Sequence, residues 1–395
     1  MRPVSKLCIK DCLWISDEKD VYYAESMIPH QICLKLGVKT RRAEALSRFA
    51  VGIPFGQREK LTNRLRRLLQ AYPCEKEILK ELLQNADDAE ATEICFIKDP
   101  RQHPEERVFE DSWKPLQGPA LCVYNNKPFT EADIKGIQNL GEGKKGDDPN
   151  KTGQYGLGFN AVYHLTDVPS FVSCSGEIGD VLCVFEPNCK YVPGATQSEP
   201  GRMFRETTKL RRDFVDVFSC YNEDHFSLRN ATMFRFPLRT EEMANDSEIS
   251  NSPVTLEILE GMMESLKTEL FEVLLFVNNV KKITMCDIDD SGQVVNSYFV
   301  EAEMSEEDSL ERQTFASYVK QIGKAFKQNP EKSPIQAEVR KCSYVLTLKD
   351  SMENEEKWLI VQQIGFENDV TESIIDVYKK NDLGILPRGG VACLL

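Results

Sequence analysis

An acid, an amide and a second acid lie close together along one stretch of the chain, at Glu81, Asn85 and Asp88. If residues 75–90 form a helix, with about 100° between successive side chains, these three groups share a narrow stripe beside its apolar face. A carboxylate there can orient a water molecule, and an amide oxygen can bind a hard cation. The same spacing is also typical of the polar flank of a packed helix. The side chains predicted to point outward are Lys80, Gln84 and Asp87.

A glycine-rich stretch, KTGQYGLGFNAVY at 151–163, follows further along the chain. Its glycines can bring the backbone close to an anion, and the helix predicted after them directs its N-terminal amides at the same place. A tight structural turn would also explain this spacing. The stretch has neither the lysine of a Walker loop nor the βαβ frame of a dinucleotide site. Together with the acid–amide–acid helix, it predicts a pocket for a metal and a phosphate.

The elements around these motifs alternate irregularly between helices and strands. A helix is predicted at 58–72 from its leucine spacing, and short apolar runs predict strands before and after the glycine-rich stretch. Few clean βαβ units occur, which favours an α+β two-layer sandwich over a doubly wound sheet. The predicted organisation is a tail of a preceding segment at 1–50, the sandwich at 51–240, a polar linker at 241–253, and a second, incomplete α/β domain at 254–395.

Composition restricts the classes of function. The net charge of −14 disfavours a nucleic-acid partner, because phosphate backbones need a basic surface. The 13 cysteines include no CxxC pair and suit a reducing compartment. Neither a signal peptide nor a transmembrane run is predicted, so we expect a cytoplasmic protein without a membrane partner. The four scattered histidines suggest no Ser-His-Asp or Cys-His grouping.

Several separated blocks resemble the GHKL ATPase superfamily and, more narrowly, the heat shock protein 90-like repeat modules of the sacsin family. These blocks are FGQREKL, KELLQNADDAEATEICF, GPALCVYNN, TGQYGLGFNAVYHLTDVPSF and TMFRFPLR. They span 51–240, and the remainder to residue 395 is similar in a more diffuse way. The resemblance implies a Bergerat-type two-layer α/β sandwich followed by a smaller domain.

The resemblance also implies roles for individual residues, with ATP and magnesium as cofactors. Glu81 falls on the catalytic base and Asn85 on the magnesium ligand, while Asp88 matches a polar nucleotide-binding position of the same helix. Thr232 falls on the threonine of the adenine network, and 139–152 corresponds to the ATP lid. The nucleotide-binding residues implied in the second glycine motif are Gly153, Gln154, Tyr155, Gly156, Gly158 and Phe159.

The stretch VYNNKPFT at 123–130 departs from the family pattern. An ungapped comparison places Tyr124 where the family has the Asp that accepts the adenine amino group, whereas a one-residue slip places Asn125 there. Lys127 and Pro128 replace flexible glycines. A lost acceptor costs about 1–3 kcal/mol, so weakened adenine recognition is predicted. The family's γ-phosphate cation comes from the following domain, with Arg388 or a residue beyond 395 as candidates.

The leading hypothesis is a chaperone or co-chaperone module with a pocket for Mg-ATP and at most weak ATPase activity. The alternative is a degenerate pseudo-ATPase that serves as an interaction scaffold. By resemblance, the implied partners are protein clients, other chaperones including the heat shock protein 70 machinery, and neighbouring repeats of a larger chain. A DNA-processing ATPase fits the superfamily but not the charge, and no histidine precedes the glycine motifs in a kinase-type dimerisation helix.

Overall fold

The structure is a computed structural model that describes residues 7–15, 21–49, 59–71, 77–138, 158–205, 207–328, 338–366 and 386–395. The chain divides into two compact units, Met1–Glu59 and Lys60–Leu395. In the first unit, strands β1 (Leu7–Ile9), β2 (Tyr22–Tyr23) and β3 (Lys39–Thr40) form a small parallel sheet with β1 in the centre. The helices of this unit are α1 (His30–Lys35) and α2 (Arg41–Phe49).

The second unit is built on a sheet that has eleven strands in the part of the chain that the structure describes. Its order is β14-β13-β12-β11-β10-β4-β5-β9-β6-β7-β8. The strands β4 to β14 are, in chain order, Glu93–Asp99, Ala120–Asn125, Ser170–Ser175, Gly179–Phe185, Gly201–Arg205, Ala231–Pro237, Lys282–Ile288, Val294–Glu303, Arg340–Asp350, Glu355–Ile364 and Arg388–Leu394. Neighbouring strands are antiparallel except β4 and β10, which run parallel.

Helices pack against this sheet. The helices α3 to α11 are, in chain order, Leu61–Ala71, Ile78–Asp88, Glu131–Ile137, Thr208–Asp213, Val215–Ser219, Glu241–Asp246, Leu256–Lys267, Leu270–Leu274 and Glu306–Gln328. Two further segments, Asp111–Gln117 and Gly158–His164, are 3-10 helices. Among the described helices, none combines the length and the hydrophobicity needed to cross a membrane. Mixed helices and one large mixed sheet confirm the predicted α+β class.

The two faces of the central strands bury different cores. We call the side that packs against α3, α4 and α9 the α4 face; it carries Phe96, Leu121 and Val123. The other side, the far face, carries Ile97 and Cys122 and packs against the 3-10 helix Asp111–Gln117 and α7. Side chains alternate between the faces because successive residues of a strand point in opposite directions. A residue's position in the register therefore decides which core it joins.

The predicted boundary at 241–253 stays a prediction. Within it, 241–246 form α8, whose N-cap Thr240 accepts a hydrogen bond from the Met243 amide. Strands from both sides of the predicted boundary share the sheet, since β4 pairs directly with β10. After this boundary, the chain continues in two helices, α9 and α10.

Candidate functional site

Helix α4 presents the acid–amide–acid stripe beside its apolar face. Leu79, Leu82 and Leu83 are buried in the core. That burial leaves Glu81 and Asn85 half-buried at the edge of the helix, and one turn later Asp88 is buried. The amphipathic pattern thus orients the helix as predicted and places the three polar groups along one line.

The Glu81 carboxylate lies directly against Gly158. A Cβ at residue 158 would overlap Glu81 Oε2 and lie 3.2 Å from its Cδ, so the close approach requires glycine. The 3-10 helix Gly158–His164 packs along α4 from this point. The two sequence motifs, which are far apart in the chain, therefore meet at one place. Glu81, the half-buried carboxylate of the stripe, lies against Gly158, the glycine of this motif that the structure describes.

Part of the predicted glycine motif falls outside the described residues. Gly153, Gln154, Tyr155 and Gly156 lie there, as does the predicted lid at 139–152. Phe159 is described, and its ring packs on Phe234 of β9 and Phe185 of β7, with centroids 6.0 and 5.6 Å away. These contacts hold the start of the 3-10 helix over the α4 face of the sheet.

A buried ion pair fixes the other end of this 3-10 helix. Arg239 and Asp167 are both fully buried, and Arg239 Nε donates to Asp167 Oδ1 over 2.7 Å. The same guanidinium donates to the carbonyls of Tyr163 (2.6 Å) and His164 (3.1 Å). The sequence predicts a helix after the glycines, and the structure corrects its type to 3-10. The carbonyls at its C-terminal end accept hydrogen bonds from Arg239 and not from a further helical turn. The 3-10 helix therefore ends after seven residues.

A row of polar side chains crosses three strands on the α4 face. Asn125 of β5 is paired with Thr232 of β9, which is paired in turn with Ser173 of β6. All three are buried. Thr232 Oγ1 donates to the Lys127 carbonyl over 2.7 Å and lies 2.9 Å from Ser173 Oγ. The row lies next to the end of α4, because only a short turn separates Asp88 from the strand residue Ile94 that pairs with Asn125.

Tyr124 lies on the far face of the sheet. Its ring packs on Phe226, with centroids 5.4 Å apart, in the core that also contains Cys122. Asn125 lies on the α4 face, paired with Thr232. Of the two residues considered for the adenine position, Asn125 thus shares a face with α4 and Thr232, and Tyr124 does not; the role itself stays a prediction. A shift of one residue moves a side chain to the opposite face of a strand.

The arrangement has two ends, Glu81 against Gly158 at one and the polar row that ends at Asn125 at the other. At the first end, Asn85 follows Glu81 by one turn of α4, and its amide oxygen is of the type that would hold a magnesium ion. In the described residues, no group of three or more His, Cys, Asp or Glu could hold a metal by itself. At the base end, Asn125 Oδ1 already accepts from the Lys127 amide (3.1 Å). Because an amide oxygen has two lone pairs, Oδ1 can accept a second hydrogen bond.

Asp87 is a residue whose role the sequence prediction missed. It was expected to point outward, but it is buried with 4% of its surface exposed. Its carboxylate accepts hydrogen bonds from the amides of Asn278 (2.9 Å), Asn279 (2.6 Å) and Val280 (2.9 Å). It thereby ties the end of α4 to the start of β10. The sequence does contain a signal for this burial. Asp87 and Asp88 are two acids in the last turn of α4, where negative charge is unfavourable next to the helix dipole unless a partner stabilises it.

Arg388, the candidate γ-phosphate cation, is far from the glycine motif. It begins β14, which lies five strands from β4 in the sheet order. At about 4.8 Å per strand, this is about 24 Å. Its guanidinium donates to Gln362 Oε1 over 2.8 Å, and burial lowers its pKa. Arg388 therefore belongs to the β13–β14 end of the sheet and not to the site.

Comparison with known proteins gives two matches. The model of the Sacsin domain family matches residues 58–299. Human sacsin is 47% identical over 406 aligned positions, which cover 100% of this chain and 9% of the human protein. The chain thus spans about a tenth of the length of the curated relative that it matches. The family match includes α4, the polar row and the start of β10.

Proposed function

Because this chain belongs to the sacsin family, we propose that it is a chaperone or co-chaperone module whose pocket binds magnesium with a nucleoside triphosphate and hydrolyses it slowly. The observation that carries the proposal is the close approach of the Glu81 carboxylate to Gly158. It brings a general base next to the backbone of the glycine motif, where a phosphate would be bound. Protein clients, other chaperones and neighbouring repeats are the proposed partners, in the cytoplasm.

In this proposal each residue has a limited task. Glu81 orients and deprotonates the attacking water, and Asn85 offers its amide oxygen to the magnesium that bridges the phosphates. When bound, the metal neutralises charge that develops on the phosphates. Asp88, one turn from Asn85, is buried at the same edge of α4 and keeps the polar stripe continuous. A mutation of Glu81 should therefore remove the activation of water without removing the pocket.

The test compares Glu81→Gln with Glu77→Gln, a matched change at the exposed N-cap residue that precedes α4, one turn earlier. Phosphate release from Mg-ATP and Mg-GTP should fall about 100-fold or more in the first variant. The second variant should match the wild type. Calorimetric binding of the triphosphates should survive in both. The proposal fails if no nucleoside triphosphate binds at millimolar concentration, or if Glu81→Gln hydrolyses at the wild-type rate.

A second candidate function is a pseudo-ATPase that acts as an interaction scaffold. The observation in its favour is the base end of the site, where Asn125 takes the acceptor position by resemblance and Lys127 and Pro128 replace glycines. A scaffold of this kind would bind protein partners equally well in wild type and Glu81→Gln. Its melting temperature would not shift with any magnesium nucleotide.

A further inference from the structure

A small internal cavity lies in the far-face core. Its volume is about 10 Å³, counted as the space open to the centre of a water molecule. Trp113 and Gln117 of the 3-10 helix line it together with Arg235 of β9, and Ser170 and Tyr221 are among the other lining residues. A single buried water needs roughly 10 to 15 Å³ on this measure. The cavity is therefore at the lower limit for one water molecule and too small for two.

Arg235 brings a charged side chain to this cavity. It is paired with Cys122 of β5, is 2% exposed, and forms no ion pair with any residue that the structure describes. Its guanidinium donates to the carbonyl of Leu116, and Nη2 donates to the carbonyl of Gly118 over 2.6 Å. Arg235 Nε has no hydrogen-bond partner among the described residues. A buried charged donor of this kind needs an acceptor, since leaving it unpaired is unfavourable.

Two more buried polar atoms belong to side chains that line the same cavity. Trp113 Nε1 and Gln117 Oε1 have no hydrogen-bond partner within the described part of the chain. The orientation of the Gln117 amide is fixed, because its nitrogen faces the carbonyls of Pro104 (2.8 Å) and Asp216 (2.7 Å). Gln117 Oε1 is thus an acceptor that needs a donor. Trp113 Nε1 and Arg235 Nε, in contrast, can only donate.

We propose that this cavity binds one structural water molecule, which accepts from Arg235 Nε and Trp113 Nε1 and donates to Gln117 Oε1. Buried waters typically make about three hydrogen bonds to polar groups that lack a protein partner. A chloride ion would suit the two donors, but it is larger than water and has no proton for Gln117 Oε1. The water joins the 3-10 helix to β9 and bonds the buried guanidinium. This inference does not depend on the proposed function.

A crystal structure of the full chain, at a resolution that shows ordered waters, tests the site directly. We expect one density peak at about 2.7–3.2 Å from each of Arg235 Nε, Trp113 Nε1 and Gln117 Oε1. After a bromide soak, the anomalous map should show no peak in the cavity. Three results would overturn the inference: no density in the cavity, a peak out of hydrogen-bond reach of any of the three atoms, or bound bromide.

Nuclear magnetic resonance gives an independent measurement in solution. The chain has three tryptophans, and Trp113→Phe and Trp358→Phe identify two of the indole N–H signals after isotope labelling of tryptophan. In the wild type, the Trp113 N–H should show cross peaks to water with opposite signs in NOE and ROE spectra, as a long-lived bound water gives. Trp358 is the control, because its Nε1 donates to Glu356 Oε2 over 2.9 Å. The inference fails if Trp113 shows no such pair of peaks.

Discussion

The two faces of the central strands both bury polar residues, but they bond them differently. On the far face, the Asp99 carboxylate accepts two hydrogen bonds from the Arg101 side chain, each of 2.7 Å, and further ones from His103 (3.1 Å) and Asn222 (3.3 Å). On the α4 face, the row that ends at Asn125 leaves an NH2 group available. Buried polar groups that are fully hydrogen-bonded among themselves stabilise a fold, whereas a donor without a described protein partner can form a hydrogen bond to a ligand or water.

The largest expected effect comes from breaking the far-face network. Asp99→Ala removes the anion that Arg101 and His103 share, and leaves their donors without the acceptor. We expect the free energy of unfolding to fall by about 3 kcal/mol or more, as measured by urea denaturation. Phosphate release from a magnesium nucleoside triphosphate should not change.

The control for this change is Asp111→Ala, since Asp111 is exposed and pairs with Lys114 on the surface. It should alter the free energy of unfolding by less than about 0.5 kcal/mol. If Asp99→Ala lowers the free energy of unfolding by less than about 1 kcal/mol, the far-face network does not stabilise the fold in the way expected here.

Gly158→Ala on the α4 face should have a smaller effect on stability than Asp99→Ala. Its effect on activity should be large. The new Cβ forces the Glu81 carboxylate away, which its flexible side chain allows, so the free energy of unfolding should change by about 1 kcal/mol or less. Phosphate release should fall about 100-fold, because the base is displaced. Single-turnover kinetics measure this effect.

Two variants sharpen the Gly158 test. Gly136→Ala on α5 is the control, since nothing lies within 4 Å of the added Cβ, and its activity should be unchanged. In the double variant Glu81→Gln with Gly158→Ala, the second change should slow phosphate release no further than the first. Additive losses would mean that Gly158 acts independently of Glu81.

The smallest effect is the dependence of stability on pH that His103 and Asp99 of the far face contribute. Burial lowers the pKa of His103 below its usual 6.5, although the hydrogen bond to Asp99 opposes this. The unfolded chain therefore binds a proton at His103 more readily, and stability falls as the pH drops below 6.5. Burial would raise the pKa of Asp99, but hydrogen bonds from Arg101 and His103 outweigh it and lower that pKa.

His103 and Asp99 both make the fold less stable as the pH falls. Asp99 contributes stability above its usual pKa of 3.8, and this contribution is lost as the pH falls through its lowered folded value. Each group adds a slope of at most about 1.4 kcal/mol per pH unit. Burial raises the pKa of Glu186 to about 7, which gives a slope of opposite sign between pH 5 and pH 7. The His103 slope is therefore read from the difference between wild type and His103→Phe, each measured by urea denaturation between pH 8 and pH 5. Ser173→Ala on the α4 face should leave the slope as it is; equal slopes in wild type and His103→Phe would contradict the assignment.

The local elements could be predicted from sequence because their causes are local. Leucine spacing predicted α3 and α4, and the orientation of α4 followed from its apolar stripe. The meeting of Glu81 with the glycine motif was predicted as one pocket, and the structure brings Glu81 and Gly158 into contact. The roles of the site residues stay predictions.

What could not be predicted depends on partners that are distant along the chain. Asp87 has the same helical angle whether or not the amides of 278–280 approach it, so periodicity alone assigned it to solvent. The face occupied by Asn125 depends on the strand register, which the residues of VYNNKPFT do not determine by themselves. The parallel pairing of β4 with β10 is likewise invisible in local patterns.

The parallel pairing of β4 and β10 also bears on how the chain is made and how it can be divided. Asp87 and Val280, which are hydrogen-bonded beside this pair, are 193 positions apart. During synthesis, β4 emerges long before β10 and has one unpaired edge until β10 arrives. Unpaired edges of apolar strands associate with other chains. A fragment that ends in the polar stretch at 241–253 would keep every residue of the candidate pocket and still expose Ile94, Phe96 and their backbone along that edge.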